Sequence, residues 1–451
     1  MVVRDAARWI TSPPATGDLA EARPLTARNY VMLWGALSMS LLVFVPGAYL
    51  VPALHLRDAL AVAVLGSAAG ASVLAAVAAL AARRRRNTVG LLSSALGVPA
   101  GTVIATILLL RHIVWATFTL AFAANVAAHV PGLGGSKMLW AIALGALAMA
   151  LALLPTRTFI ERWLGWFAFW IGLLLIAMIT FTGLTSYGVP VLHDADGMGG
   201  WPTRAQGFDL IAALPLLWLP VVADYANGAR APRDAGVGAF AGAGVFTAWY
   251  AIVGMMWVFT VSAGDVAGFI SQIPIGAGAL VIVIALQSNA IAANMYAASQ
   301  AGGRFGYRWF RPVLVVAGVL AGALVVATDA LGVEDLAMLL ASLFLPLFAV
   351  VLARNLLPDA PRVLSWLSWF AGVAAYGWIN PGDVRYWRDA LHFVFATVLR
   401  APFPLGGDLT PLPATAVSFA VAAGGYLLLA SIWSAGPKAR EIGVSVWQSA
   451  R

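Results

Sequence analysis

The chain has 451 residues, of which 61% are hydrophobic and only 10% are charged, with a formal net charge of +8 and no cysteine. A soluble globular protein carries roughly 25% charged residues, so this composition excludes a chain that folds mainly in water. The lack of cysteine excludes disulfides, thiolate metal sites and cysteine nucleophiles. The basic residues lie in short runs between apolar segments, which is typical of membrane topology rather than of nucleic-acid binding.

Residues 1–28 contain arginines and a Pro-Pro pair but no apolar core, which predicts a cytoplasmic tail rather than a signal peptide. A membrane-spanning helix needs about 20 mostly apolar residues. This criterion predicts twelve helices, called spans 1 to 12: 31–53, 59–82, 101–128, 138–155, 161–186, 208–228, 237–262, 274–299, 312–330, 335–355, 363–380 and 412–434. Residues 387–402 are amphipathic and short, which predicts an interfacial helix or loop, with a thirteenth span as the alternative.

Lysine and arginine are concentrated on the side of the membrane where the N-terminus lies. Examples are residues 83–86, Arg230 and Arg233. The positive-inside rule therefore predicts that both termini are cytoplasmic, and an even number of spans agrees with this. We expect the chain in the inner or plasma membrane, with the lipid bilayer as its partner and no nucleic acid or obligatory protein partner.

Spans 1 and 6 both contain proline within an apolar run: Pro46 precedes Gly47 in span 1, and span 6 has Pro215 and Pro220. Proline removes a backbone donor and frees carbonyl groups, which lipid tolerates only beside protein or a watery cavity. Such interruptions five spans apart are typical of transporters with inverted repeats, whose sites lie at the broken helices. A simple kink in each span is the alternative. Asp224, near the inner end of span 6, is predicted as an ion-pair partner of nearby arginines or as a gate.

Span 3 carries Arg111, His112, Trp115 and Thr119. Trp115 and Thr119 are four residues apart and share a helix face, where an indole beside a hydroxyl suits a flat heterocycle with hydrogen-bonding edges. Arg111 is costly in the membrane unless it is paired or reached by water. His112 is either a proton relay or a structural histidine.

Span 8 contains four polar residues within eight positions: Gln287, Ser288, Asn289 and Asn294. Gln287 and Asn294 fall on one broad face of the helix. Side-chain oxygens of serine and asparagine, with carbonyls from an unwound helix, are hard ligands of the kind that Na⁺ needs. The alternative is that these residues simply hold neighbouring helices together.

These segments resemble the nucleobase:cation symporter family, which includes cytosine, purine–cytosine and hydantoin permeases. The resemblance runs from residue 29 to the end of span 12 and is carried by residues 34–52, 65–70, 87–101, 115, 224–225, 288–294 and 378–382. It implies an all-α polytopic membrane protein with a five-plus-five inverted repeat (LeuT-like), two additional C-terminal helices and alternating access. The implied organisation is an N-terminal tail at 1–28, repeats at 29–206 and 207–356, the two last helices at 357–436 and a cytoplasmic tail at 437–451.

The resemblance also implies roles for individual residues. Trp115 would stack on the substrate, and the other substrate-binding candidates are Ser40, Thr119, Trp218, Gln287 and Asn294. A sodium site would use the carbonyl groups of Ala36, Met39 and Ala285 and the side chains of Ser288 and Asn289. The candidates for gating or coupling are Pro46, Gly47, Pro215 and Asp224.

The sequence departs from the family pattern at the predicted site. Where the family has its second stacking aromatic residue, this chain has Pro215, and the nearest aromatic replacement is Trp218. Where the family usually has a glutamine, this chain has Thr119, and Asn289 stands in place of a sodium-binding hydroxyl residue. The coupling ion is therefore open between Na⁺ and H⁺. The predicted function is cation-coupled import of a nucleobase or related heterocycle, of cytosine, purine, hydroxymethylpyrimidine or hydantoin type. The alternative is a permease of the same fold for an amino acid or amine. No convergent set of catalytic groups is present, so we do not expect an enzyme.

Overall fold

The computed structural model of the chain describes residues 24–97, 100–132, 134–187, 197–258, 273, 275–303, 316–320, 322, 333–382, 384–403 and 411–435. Most of the predicted N-terminal tail, the whole predicted C-terminal tail and most of span 9 lie outside the described residues. Every other predicted span coincides with a helix or with a pair of consecutive helices.

The first half of the chain forms the helices of spans 1 to 5. They are α1 (Ala27–Ser38) and α2 (Leu41–Ala53) in span 1, α3 (Leu56–Arg84) in span 2, the short α4 (Thr88–Leu96), α5 (Ala100–His129) in span 3 and α6 (Lys137–Ala152) in span 4. Span 5 forms α7, which has three consecutive segments: Thr156–Thr158, the π-helical Phe159–Ala168, and Phe169–Tyr187.

The second half forms the remaining helices. They are α8 (Arg204–Leu216) and α9 (Leu219–Ala226) in span 6, and α10 in span 7, which has the consecutive segments Pro232–Ala239, Phe240–Gly244 (π-helical) and Val245–Val258. Next come α11 (Ala277–Gly302) in span 8, α12 (Val333–Leu356) in span 10 and α13 (Arg362–Ile379) in span 11. The last two are α14 (Arg385–His392), which continues into the π-helical segment Phe393–Val398, and α15 (Ala414–Ala435) in span 12.

The lengths of these helices match a membrane. Within the described ranges, eight helical segments are long and apolar enough to cross it, and the bent pair α1 and α2 adds a ninth. The chain is therefore a multi-pass helical membrane protein. By contrast, α14 and its π-helical continuation have 8 and 6 residues, fewer than the roughly 20 that a span needs. Their length favours the interfacial helix over a thirteenth span.

Span 1 is interrupted at Met39 and Ser40, where α1 and α2 meet at an angle of 63°. The backbone N–H of Ser40 donates to the carbonyl of Ser38, and that of Val43 donates to the carbonyl of Ser40. In a continuous α-helix these two N–H groups would donate to Ala36 and Met39, four residues earlier. Because of the interruption, the carbonyl groups of Ala36 and Met39 do not receive hydrogen bonds from their usual N–H donors.

The break that the sequence predicted at Pro46 and Gly47 is wrong in position, because both residues lie inside α2. Pro46 and Gly47 lie where span 1 packs closely against span 7. A Cβ atom on Gly47 would overlap the carbonyl oxygen of Ala251, and a Cβ atom on Gly254 would overlap that of Phe44. Two glycines thus let the backbones of α2 and α10 approach each other. A gating role for Pro46 and Gly47 stays a prediction.

Span 6 departs from regular helical hydrogen bonding at Leu217 and Trp218, between Pro215 and Pro220, although Arg204–Ala226 continues as one membrane-length segment, as the predicted alternative of a kink would have it. The N–H of Trp218 donates to the carbonyl of Pro215, and the N–H of Val221 donates to the carbonyl of Trp218. In a regular helix Val221 would donate to Leu217 instead. The carbonyl of Leu217 is consequently accessible to a side chain from a neighbouring span.

Asp209 joins span 6 to the last helix. Its side chain is buried and accepts hydrogen bonds from the backbone N–H groups of Ala414 and Thr415, both at 2.9 Å, and from the Thr415 hydroxyl at 2.7 Å. N–H groups in the first turn of a helix have no partner within that helix. Asp209 satisfies them for α15 and so fixes span 12 against span 6.

Candidate functional site

Trp115 lies near the middle of α5, beside both interrupted spans. It is buried in an apolar cluster with residues of spans 1, 6 and 10, namely Leu42, Ala213, Leu217, Leu336, Ala337 and Ala341. Phe118 is tilted against it, with the ring centroids 5.6 Å apart. The structure therefore places the indole predicted to stack on the substrate between the two broken helices.

Arg111, one turn before Trp115, connects span 3 to spans 6 and 8. Its Nη2 donates to the carbonyl of Leu217 in the span 6 break, and its Nη1 donates to Asn294 Oδ1 at 2.6 Å. The guanidinium carbon lies 5.8 Å from the Trp115 ring centroid, within the range of a cation–π contact. One cationic side chain thus contacts both a carbonyl at the break and two residues predicted to bind substrate.

Among the residues that the structure describes, no carboxylate is seen to pair with Arg111. Ion pairs are present at Arg157–Glu161, Arg204–Asp58 and Arg230–Asp234, and Arg111 takes part in none of these three. Arg111 is only 5% exposed, and its Nε atom is buried without a hydrogen-bond partner. Since arginine stays protonated in proteins, an unpaired positive charge lies beside Trp115 inside the membrane region.

His112 belongs to the same cluster. Its Nδ1 lies 3.0 Å from Arg111 Nη1 and 3.2 Å from Asn294 Oδ1. A guanidinium can only donate and an amide oxygen can only accept, so Nδ1 hydrogen-bonds to one or the other of these atoms according to the ring tautomer. The proton relay and the structural role of His112 both stay predictions.

Ser40 and Gln287 connect the break in span 1 to span 8. The Ser40 hydroxyl donates to Gln287 Oε1 at 2.7 Å and accepts from the N–H of Leu42 at 3.3 Å, which caps α2. Gln287 Nε2 donates to the carbonyl of Val283 in its own helix. Gln287 and Asn294 therefore both face the interior between the spans, as their spacing predicts, with Gln287 bonded to span 1 and Asn294 to span 3.

Thr119 lies one turn beyond Trp115 and is fully buried. Its hydroxyl donates to the carbonyl of Trp115 at 2.9 Å. The hydroxyl proton is thereby used within α5, whereas the oxygen still has lone pairs that a donor on a ligand can use. A hydrogen bond from Thr119 to substrate stays a prediction.

The two side chains predicted as sodium ligands are bonded to spans 4 and 5. Ser288 Oγ donates to the carbonyl of Leu144 at 3.2 Å, and Asn289 Oδ1 accepts from Trp163 Nε1 at 2.6 Å. Ala285, whose carbonyl completes the predicted set on span 8, lies one turn earlier on α11. The Ser288 hydroxyl oxygen keeps its lone pairs and Asn289 Oδ1 keeps one, so sodium binding by these two side chains stays a prediction.

Trp218, the predicted replacement for the second stacking aromatic, contacts Trp34 rather than Trp115. The Trp34 and Trp218 rings meet edge to face with centroids 6.0 Å apart, in a cluster separate from that of Trp115. Pro215 is buried in α8. The span 6 neighbours of Trp115, including Leu217, are aliphatic. The structure thus does not bring Trp115 and Trp218 together.

Asp224 binds the N-terminus of the short helix α4. It is buried, and its Oδ1 accepts a hydrogen bond from the N–H of Thr88 at 3.0 Å. The ion pair predicted with Arg230 is wrong, because Arg230 instead pairs with Asp234 at 3.0 Å. Asp224 therefore connects span 6 to the segment that precedes span 3, and its role as a gate stays a prediction.

The sequence interpretation noted Arg111 but did not include it among the site residues. A signal was available, since Arg111 is a single arginine in an apolar run and lies one turn from Trp115. A charged residue inside a membrane span is a candidate functional residue on that ground alone. Its contacts with Leu217 and Asn294 join spans distant in sequence, and no local pattern reveals them.

The fold resembles those of solved membrane transporters, among them three structures of two proteins. Mhp1, a nucleobase-cation-symport-1 family transporter in a closed conformation with bromovinylhydantoin bound, superimposes with a TM-score of 0.65 and 14% identity, covering 94% of each chain. The inward-facing conformation of Mhp1 gives 0.61 and 15%, covering 92% of this chain and 93% of that one. A Na⁺-coupled sialic acid symporter, substrate-bound and outward-open, gives 0.59 and 12%, covering 95% and 92%.

No protein-family model matches the sequence, and no curated protein matches it either. The likeness to the solved structures is therefore a likeness of fold. At that level it confirms the resemblance drawn from the sequence: the chain has the helical fold of Mhp1 and of the sialic acid symporter. Both of these proteins are transporters rather than enzymes.

Proposed function

We propose that the chain is a cation-coupled secondary transporter that imports a nucleobase or a related small heterocycle by alternating access. The observation that carries this proposal is the position of Trp115 beside both interrupted spans, with polar groups of span 8 on the same side. Transporters of this kind bind substrate near the middle of the membrane at discontinuous helices. The ring classes that we propose are cytosine, purine, hydroxymethylpyrimidine and hydantoin.

The same proposal gives the chain its organisation. Residues 29–206 and 207–356 form two inverted repeats of five spans each, and residues 357–436 contain two further spans. The breaks in spans 1 and 6 support this arrangement, because they occur at the first span of each proposed repeat. Both termini are proposed to be cytoplasmic, in the inner or plasma membrane, from the distribution of basic residues.

In the proposed complex the ring of the substrate lies against Trp115, with the aliphatic side chain of Leu217 nearby. Ser40, Thr119 and Asn294 bind its heteroatoms. Gln287 positions Ser40 through their 2.7 Å hydrogen bond. Trp218 contacts the site only indirectly, since it packs against Trp34.

The proposed coupling ion is Na⁺ or H⁺. The carbonyl groups of Ala36 and Met39 support a sodium site, because the break in span 1 diverts their usual N–H donors. Ser288 and Asn289 would complete that site through the oxygen lone pairs that their bonds to spans 4 and 5 leave free, together with the Ala285 carbonyl. A proton-coupled cycle would leave that site without an ion.

A permease of the same fold for an amino acid or an amine is the alternative function. The buried charge of Arg111 disfavours a cationic amine, because like charges in a low-dielectric site repel strongly. The carboxylate of an amino acid would instead be attracted to Arg111. Competition between labelled heterocycles and amino acids in uptake assays separates these two functions.

The test is a thermal-shift screen of the purified protein against cytosine, hypoxanthine, hydroxymethylpyrimidine and hydantoin, with and without Na⁺. A ligand present at 100 times its Kd stabilises the native state by about 2.7 kcal/mol, so binding raises the apparent Tm. We expect Trp115→Ala to abolish the shift. Trp433→Ala, at a half-exposed position in the last helix, should retain it. The proposal is refuted when none of the four compounds shifts the Tm or when Trp115→Ala responds like the unmodified protein.

A further inference from the structure

We propose that the transported heterocycle is an acid that binds as its anion, with the Arg111 guanidinium as its counter-charge. This inference rests on the proposed function and specifies its substrate class. Its basis is the electrostatic imbalance of the site: a permanent positive charge lies 5.8 Å from the ring on which the substrate would stack, and no carboxylate of the described residues pairs with it.

The present partners of Arg111 satisfy only some of its N–H groups and do not balance its charge. The carbonyl of Leu217 and Asn294 Oδ1 are neutral acceptors, and the neighbouring His112 ring carries no negative charge. A buried cation normally pairs with an anion, because neutral dipoles replace its lost hydration only in part. One donor, Nε, has no partner at all. An anionic ligand supplies both the missing charge and an acceptor.

The geometry also provides a way for the site to accept such a ligand. Arg111 and Trp115 are four residues apart on α5, so an acid group on a ring lying against Trp115 is directed along the helix towards the guanidinium. A carboxylate binds two guanidinium N–H groups side by side. Taking up the acid would release Asn294 Oδ1 from Arg111, and that oxygen then becomes free to accept an N–H of the ring.

A purely structural role for Arg111 makes a different prediction. In that case the guanidinium serves only to satisfy the Leu217 carbonyl at the span 6 break. The charge of the ligand would then not affect its affinity, so an anion would bind no better than its neutral counterpart. Ligand pairs that share a ring system, with one member anionic and the other neutral, therefore separate the two roles in the unmodified protein.

The experiment measures the Kd of two such pairs with the purified full-length protein: orotate against uracil, and urate against hypoxanthine. We expect at least one acid to bind ten or more times tighter than its neutral partner, as a charge-assisted bidentate contact in a buried site permits. Arg111→Gln should abolish this preference, and Arg111→Lys should keep part of it. Arg157→Gln, which alters a half-exposed ion pair, is the control and should leave it unchanged.

The outcomes separate the inference from the proposed function. Neutral compounds that bind as well as both acids overturn the anion inference and leave the heterocycle transporter standing. No binding by any of the heterocycles, including those of the thermal-shift screen, overturns the proposed function and the inference with it. Should Arg111→Gln fail to fold, the comparison of the two pairs in the unmodified protein still decides, because it needs no variant.

Discussion

The hydrogen bond between Ser40 and Gln287 is the contact whose removal is most informative about how the break in span 1 is held. Ser40 both caps α2 and donates to Gln287 across 2.7 Å in a buried environment. Losing an N-cap side chain costs about 1 kcal/mol. Leaving a buried acceptor without its donor costs roughly 1–3 kcal/mol more. We therefore expect Ser40→Ala to lower the free energy of unfolding by about 2–4 kcal/mol.

A double-mutant cycle isolates the part of this loss in unfolding free energy that comes from the hydrogen bond between Ser40 and Gln287. Gln287→Met keeps the length of the side chain but removes its polar atoms, and the two single changes should not add. We expect a coupling energy of about 1 kcal/mol, within the usual range for residues in direct contact. The assay is chemical unfolding in one detergent, followed by tryptophan fluorescence. Ser72→Ala, at an exposed serine that bonds only to its own helix, is the control and should change stability by less than about 0.5 kcal/mol.

The result that refutes this reasoning is strict additivity. If the double variant loses the sum of the two single losses, Ser40 and Gln287 do not interact and the break is held by other contacts. The same variants report on function, because the break diverts the donors of the Ala36 and Met39 carbonyls. Ser40→Ala should weaken any Na⁺-dependent stabilisation, measured as the change in Tm between Na⁺ and choline buffers.

Two further predictions follow from buried polar contacts. Asp209→Ala should lower the free energy of unfolding by about 3 kcal/mol, because it leaves buried donors at the start of α15 unpaired, and Asp209→Asn should lower it less. Detergent unfolding checks this, and equal effects of the two variants would contradict it. Trp163→Phe should remove a competing donor from Asn289 Oδ1 and strengthen Na⁺-dependent stabilisation, measured as the difference in Tm between Na⁺ and choline buffers, whereas an unchanged Na⁺ response would show that Trp163 does not compete with the ion.

The membrane spans were predictable because the requirement behind them is local. Each span must present about 20 apolar residues to the hydrocarbon and must satisfy its backbone within one helix. Outside span 9, the predicted ranges coincide with helices for this reason. The same length criterion identified residues 387–402 as too short to cross, and the structure has only short helices there.

The position of a break was predictable only in part. Pro215 and Pro220 flank the interruption of span 6, as the sequence indicates. In span 1 the helix continues through Pro46 and bends earlier, at Met39 and Ser40. A proline inside a helix costs one hydrogen bond, and neighbouring helices in a membrane protein compensate for this. The bend instead occurs where Ser40 bonds to Gln287, a residue 247 positions away.

The sequence by itself therefore determined the extent of most helices, the aromatic and polar residues that they contribute, and the shared face of Gln287 and Asn294. Only the tertiary structure decided which groups meet. Ser288 and Asn289 are adjacent to that face, yet they bond to spans 4 and 5. Helical period fixes the angle between residues of one helix, whereas the rotation of that helix against its neighbours depends on packing over the whole bundle. For the same reason the charge of Arg111 was visible in the sequence, but its neutral partners were not.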